Sequence, residues 1–212
     1  MESDLLTDAV VPDAAQDLKA HARDFAETEL RPRASEYFQS AAYPVDVVEA
    51  AHDADLVAQE IDEAYGGPGR SLDEIVATVE ELFRADAGLG LGIVSQSFGT
   101  EILQEFGTEA QKETYLRAVA EGEKRTGMAI SEPDTGSDLA GMETTARLDG
   151  DEWVLNGEKY WIGNGISGDY ITVYAKTEDT DDRHSNHSLI LVPTDAPGYE
   201  AESIPEKMAY RA

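Results

Sequence analysis

Cysteine is absent from this 212-residue chain. That absence excludes disulfides, zinc–thiolate sites, iron–sulfur clusters and cysteine nucleophiles. Basic residues are scarce: 16 Lys and Arg stand against 44 Asp and Glu, a formal net charge of −28. Such a surface repels nucleic acid and anionic membranes, so neither is an expected partner. No apolar run approaches the ~18 residues that would span a bilayer. The opening residues, MESDLLTDAVVPD, are acidic where a signal peptide has a basic n-region. A cytoplasmic protein is the expectation.

What is present is a chain able to bury a core, as one large domain or two modest ones. Hydrophobic residues make up 41% and the acids are interleaved with them, which argues against a disordered acidic tail. An acidic, halophilic-type protein fits better. At molar salt the screening length is ~3 Å, so dense surface carboxylates no longer repel strongly. Lysine is also scarcer than arginine.

The first part of the chain reads as helices. Leu18, Ala22, Phe25, Ala26 and Leu30 recur at helical spacing over 14–30, and Pro32 marks the end. A second helix is expected over 44–56, with Pro44 in its first turn and Val47, Val48 and Ala51 on one face. AYGGPGRS (64–71) is a turn-rich connector. Ser71 and Glu74 form a capping-box pattern before Ile75, Val79 and Leu82, and Glu80-Glu81 reads as a solvated helix face. The small-residue stretch 85–106 reads as one buried helix. Thr108 and Gln111 open another, through Ala120, and Gly122 stops it.

Beyond Gly122 the period changes to two. Thr145, Arg147 and Asp149 alternate with Ala146 and Leu148, Asp149-Gly150-Asp151 is a hairpin turn, and Trp153–Leu155 begins the return strand. Asn156-Gly157 reads as another hairpin turn into a strand over Lys159–Ile162. Further strands are expected over 170–176 and 188–192, around an acidic loop at 178–185. The predicted fold is α+β: an all-helical domain over 1–122, then an antiparallel β domain over 123–212.

Two segments carry the chemistry, MAISEPDTGS (128–137) and KYWIGNG (159–165). Taken singly, the first is an ordinary hydroxyl-capped turn and the second a piece of β core with a bend. Together they offer what a flavin ring needs: backbone donors and hydroxyls where reduction builds negative charge, and apolar wall elsewhere. Other signals are weaker. His184 and His187 could ligate a metal, but solvated loop histidines are the simpler reading. Gly88-x-Gly90-x-Gly92 lacks the third spacing and the preceding strand of a dinucleotide fingerprint. Gly165-Ile166-Ser167-Gly168 misses the spacing of a nucleophile elbow.

The same segments resemble the acyl-CoA dehydrogenase family. Its hydrophobic-x-[ST]-E-P-x-x-G-S-D segment is similar to Ile130-Ser131-Glu132-Pro133-Asp134-Thr135-Gly136-Ser137-Asp138. Its N-G-x-K-x-[WF]-I-[TS]-N segment is similar to Asn156-Gly157-Glu158-Lys159-Tyr160-Trp161-Ile162-Gly163-Asn164. Glu63-Ala64-Tyr65-Gly66-Gly67 resembles its E-x-Y-G-G connector, so the resemblance covers essentially the whole chain. It implies that FAD is lined by Met128, Ala129, Ile130, Ser131, Gly136, Ser137, Trp161, Ile162 and Gly163. Ser131 would bond the ring and Ser137 would also touch the acyl-CoA substrate. The family has Thr or Ser where this chain has Gly163, which leaves only a backbone N–H there. The implied reaction is α,β-dehydrogenation of an acyl-CoA thioester, with electron-transfer flavoprotein as acceptor and a homo-oligomeric (tetrameric or dimeric) assembly. The implied glutamate base lies beyond Ala212. A non-catalytic flavin- or acyl-CoA-binding subunit, or the front half of a related oxidase or monooxygenase, is the alternative.

Overall fold

The computed structural model describes residues 12–178, 180, 182 and 184–211. Part of the expected acidic loop at 178–185 therefore lies outside the described residues. The chain divides into two compact units, 1–124 with 205–212, and 125–204. The boundary expected at 122/123 compares with this division, and residues 205–212 group with the helical unit.

In the helical unit, α1 (Asp13–Phe25) runs into a wide π-type turn at Ala26–Leu30. The helices α2 (Ala34–Ser40) and α3 (Val45–Asp53) follow. Next come α4 (Leu72–Ala85), α5 (Ala87–Val94) and α6 (Thr100–Phe106). The last helical run joins α7 (Glu109–Gln111) to α8 (Arg117–Ala120) through a π-type turn at Lys112–Leu116. Both capping boxes form. Ser71 N donates to Glu74 Oε2 at 2.9 Å and Thr108 N to Gln111 Oε1 at 2.9 Å, each satisfying a donor that a helix start leaves free.

Two expectations change here. The stretch 85–106 is not one helix. Asp86 adopts an extended conformation and caps α5 by accepting from Leu89 N at 2.9 Å, and Gly99 sits at φ 95°, which starts α6 afresh. Glu80-Glu81 is not a solvated face. Both side chains are buried, at 6% and 0% exposure, because α1 packs on α4 and brings cations onto them. Arg23 contacts Glu81 at 2.7 Å, Arg84 contacts it at 2.9 Å, and Lys19 contacts Glu80 at 3.1 Å. Elsewhere the core is aliphatic, with Leu30, Leu56, Ile61, Leu82, Leu89 and Ile93 fully buried.

The second unit is a five-stranded sheet. Its strands are β1 (Thr126–Ala129), β2 (Thr145–Asp149), β3 (Glu152–Asn156), β4 (Tyr170–Lys176) and β5 (His187–Pro193). The β-branched and aromatic strand β4 is central, and its residues from Tyr170 to Val173 are all buried. Along one edge it pairs with β5 antiparallel, Tyr170 opposite Pro193. Along the other it pairs with β1 in parallel, Thr126 opposite Tyr170, and at its end with β2, Thr145 opposite Lys176. The hairpin of β2 and β3 is antiparallel, as expected from Asp149-Gly150-Asp151. The sheet is thus mixed rather than wholly antiparallel, because the chain leaves β1, makes the β2–β3 hairpin, and returns to lay β4 along β1 in the same direction. Ala129, Ile171 and Val173 form its core, with Leu155, Ile162, Val192 and Tyr199 packed on them.

Candidate functional site

The open edge of β1 meets the segment 159–164. At one end Asn164 Nδ2 donates to Thr126 O at 2.8 Å. Next, Gly127 abuts Gly163: a Cβ on Gly127 would collide with the Gly163 carbonyl oxygen, so the close approach requires glycine there. At the other end Lys159 Nζ donates to Ile130 O at 2.9 Å and Tyr160 N to Ser131 O at 2.8 Å. The two motif segments therefore lie side by side, running in opposite directions.

They do not form a strand pair. The expected hairpin at Asn156-Gly157 and strand over Lys159–Ile162 are absent, because Trp161 has φ 63° and Asn164 has φ 58°. Left-handed residues break a ladder, and for an indole the conformation costs roughly 1–2 kcal/mol. The backbone bends outward between its two anchored ends. Trp161, expected within the sheet, is 65% exposed and meets Tyr160 edge-on, ring centroids 4.9 Å apart. Ile162 instead turns inward onto the core of Ala129, Ile171 and Val173.

The remaining sequence-predicted positions divide by accessibility. Ala129 is buried, while Met128, Ile130 and Ser131 are partly exposed at the end of β1. No side-chain hydrogen bond engages the Ser131 hydroxyl among the described residues. Glu132 and Thr135 close a tight turn, Glu132 N donating to Thr135 O at 2.8 Å. That turn leaves Gly136 and Ser137 exposed, as is Gly163 on the second segment.

Glu132 and Lys159 were not singled out from the sequence, although both stand inside the two motifs. No local signal marks them, because both have polar or turn-forming neighbours, Ser131, Pro133 and Asp134 around Glu132 and Gly157 and Glu158 before Lys159. They form a buried ion pair at 2.9 Å, with side chains 6% and 9% exposed. Glu132 also accepts from Glu143 N at 2.6 Å and Thr144 N at 2.9 Å. Burial pushes its carboxyl up, but hydrogen bonds from Thr144, the Glu143 N–H and Lys159 outweigh that and hold the pKa at about 2. Burial lowers the Lys159 ammonium against the pull of its partner. Beyond the segment, Tyr199 OH donates to Gly165 O at 2.6 Å and Arg125 N to Asp169 Oδ2 at 2.8 Å, fixing the turn that leads into β4.

The histidines are placed differently. His187 is the first residue of β5 rather than part of a loop, half-buried with its ring 5.0 Å from that of Tyr174. Among the described residues no cluster of three or more His, Asp and Glu side chains could hold a metal ion. Among them, too, no helix is long and apolar enough to cross a membrane.

Comparison with known proteins accounts for this arrangement. Residues 12–123 match the N-terminal domain of acyl-CoA dehydrogenases and residues 127–212 match their middle domain. The Bacillus subtilis protein named probable acyl-CoA dehydrogenase YngJ is 35% identical over 190 residues, 89% of this chain and 50% of that protein. The mitochondrial short-chain specific acyl-CoA dehydrogenase of Mus musculus is 34% identical over 203 residues, 95% of this chain and 49% of that protein. A crystal structure of glutaryl-CoA dehydrogenase from Mycobacterium smegmatis, in complex with FADH2, superposes with a TM-score of 0.88 at 33% identity. It covers 97% of this chain and 52% of the other. The chain spans about half the length of the curated relatives it matches. With both domain models and both motif segments in place, the chain belongs to the acyl-CoA dehydrogenase family.

Proposed function

We propose that the chain supplies the flavin-contacting portion of an FAD-dependent acyl-CoA dehydrogenase. The observation that carries this reading is the antiparallel seating of 159–164 along β1: Tyr160, the residue before the exposed Trp161, bonds the backbone of Ser131, whose hydroxyl is partly exposed and unengaged. The donor set fits an isoalloxazine: a flat apolar surface, a neutral hydroxyl and exposed glycine backbone, with no carboxylate among the candidate contacts. Met128, Ile130 and Ser131 would hold the ring from the end of β1, with Trp161 and Gly163 from the facing segment, while Ala129 and Ile162, whose side chains pack in the sheet core, would offer backbone alone. Gly136 and Ser137, on the exposed turn, would supply donors to the flavin, and Ser137 also to the acyl-CoA thioester.

A flavin held by these residues would supply the hydride-accepting chemistry of the dehydrogenation. The protein's part is to place and stabilise. The Ser131 hydroxyl would donate where the reduced ring gains negative charge, and Trp161 would exclude water from one side. At position 163 a backbone N–H stands where the family has a hydroxyl, so Gly163 would offer the flavin one donor fewer. The proton-abstracting base is assigned to no residue of this chain. Electron-transfer flavoprotein is the proposed acceptor, a homo-oligomer the proposed assembly, and the cytoplasm the proposed location.

The direct test is titration of the purified chain with FAD, followed by flavin absorption and by quenching of tryptophan emission in a Trp153→Phe background. Saturable binding with a resolved flavin spectrum is expected, and Ser131→Ala should lower the flavin reduction potential without altering the fold. Absence of binding at any salt concentration, with the chain folded, would defeat the reading.

A further inference from the structure

We propose that the buried Glu132–Lys159 pair is the positioning device of this flavin site: it sets the register of 159–164 against β1 and so presents Trp161. The inference rests on the flavin reading above and adds to it two residues that would not touch the cofactor.

The geometry is that of a clamp with two jaws. At the far jaw Asn164 Nδ2 holds Thr126 O at 2.8 Å. At the near jaw the Lys159 ammonium bonds two acceptors at 2.9 Å, the carbonyl of Ile130 and the carboxylate of Glu132. Those acceptors belong to adjacent parts of the first motif, whereas Lys159 belongs to the second, so the ammonium ties one motif to the other. Glu132 is immobilised in turn by the amides of Glu143 and Thr144, at 2.6 and 2.9 Å, which carry the chain into β2. A lysine with three donors can hold both acceptors of the facing motif at once; a neutral apolar side chain in the same volume can hold neither. Between the jaws lies Trp161, at φ 63° and 65% exposed. Burial does not secure an exposed residue in a left-handed conformation, so its anchored flanks must. Buried ion pairs contribute little to net stability compared with well-packed apolar residues of similar volume, and fixing one arrangement among several is their better-attested use.

The test separates positioning from stability. Four forms of the 212-residue chain are compared in a Trp153→Phe background, which leaves Trp161 as the reporter: the parent, Lys159→Met, Lys159→Arg, and the double variant Glu132→Gln/Lys159→Met. The double variant removes both charges together, which keeps the fold intact even where the single substitution, leaving Glu132 buried and alone, does not. Three quantities are read: far-ultraviolet circular dichroism for the fold, the near-ultraviolet signal of the Tyr160–Trp161 ring pair, and the Kd for FAD. Expected are a parental fold, a lost ring-pair signal and FAD binding weakened by about ten-fold or more in the double variant. That is the scale seen when residues supporting a bound group's direct contacts are removed. Lys159→Arg should recover part of both. A folded double variant with the parental ring-pair signal and Kd would overturn the inference and leave the flavin reading standing. Failure of the parent itself to bind FAD would sink the flavin reading, and the ring-pair signal alone would then decide whether the pair sets the register.

Discussion

Glu81 in the helical unit and Glu132 in the β unit are both carboxylates withdrawn from water, at 0% and 6% side-chain exposure, and they are neutralised in opposite ways. Glu81 is met by side chains, with Arg23 at 2.7 Å and Arg84 at 2.9 Å, contributed by α1 and by its own helix. Burial raises its carboxyl, but Arg23 and then Arg84 leave it below the ordinary value. Glu132 is met by two backbone amides and a single ammonium, in a turn rather than on a helix. Long cationic side chains on rigid helices join one element to another. Amides and one lysine in a turn fix the path of the chain. The first carboxylate is a fastening between helices, and the second determines where a loop goes.

The largest effect should come from breaking the fastening. Glu81→Ala leaves cations facing an empty space, and removing one partner of a buried pair costs roughly 3–5 kcal/mol. Denaturant unfolding measures it, and a loss under about 1 kcal/mol would mean that solvent reaches the site and the comparison is false. Glu132 should show itself by acid sensitivity. Its folded pKa, about 2, lies below the ordinary 4.5, so its stabilisation is present above pH 4.5 and lost as pH falls toward 2. The shift corresponds to about 3 kcal/mol. The stability gap between the parent and Glu132→Gln should therefore close across that window. A gap that persists at its acid end would refute the assignment.

Salt sharpens the contrast between buried and surface acids. With a net charge of −28, melting temperature should climb from low to molar KCl as surface repulsion is screened. The gap between the parent and Glu132→Gln should not move with it, because buried pairs are screened far less. A flat melting profile would require another account of the acids. The smallest stability effect belongs to Trp161→Ala. The indole is 65% exposed, so removing it should alter unfolding free energy by no more than about 0.5 kcal/mol while weakening FAD retention. A large destabilisation would show that the residue works as core.

Local signals were legible in the sequence and remote ones were not. Both capping boxes, the period of α1 and the turn Asp149-Gly150-Asp151 are decided within a few residues, and the sequence carries them openly. The helix α2 was missed because its seven residues, ASEYFQS, bury no side chain and so show no apolar stripe. The parallel pairing of Thr126 with Tyr170 has no local signature at all. Glu81 looked solvated because its partner Arg23 lies 58 positions away. At the candidate site the two motif segments lie side by side, but the strand expected at Lys159–Ile162 is absent. A bulky aromatic ordinarily favours a strand, and only the glycines and asparagines around Trp161 hinted at a bend.

The parallel register of β1 has a consequence in time. The hairpins β2–β3 and β4–β5 each join neighbours in sequence, so their strands can pair soon after both exist. β1 finds its ladder partner only when Tyr170–Val173 have been made, and its outer edge is met by 159–164. Contacts of wide sequence separation bear a larger closure entropy and form late. On a ribosome, β1 must therefore wait, unpaired, through the synthesis of both motif segments. Pulse-labelled hydrogen exchange during refolding should protect the amides joining β4 to β5 before those joining β1 to β4. The edge proposed to contact the flavin is then the last part of the sheet to acquire its shape.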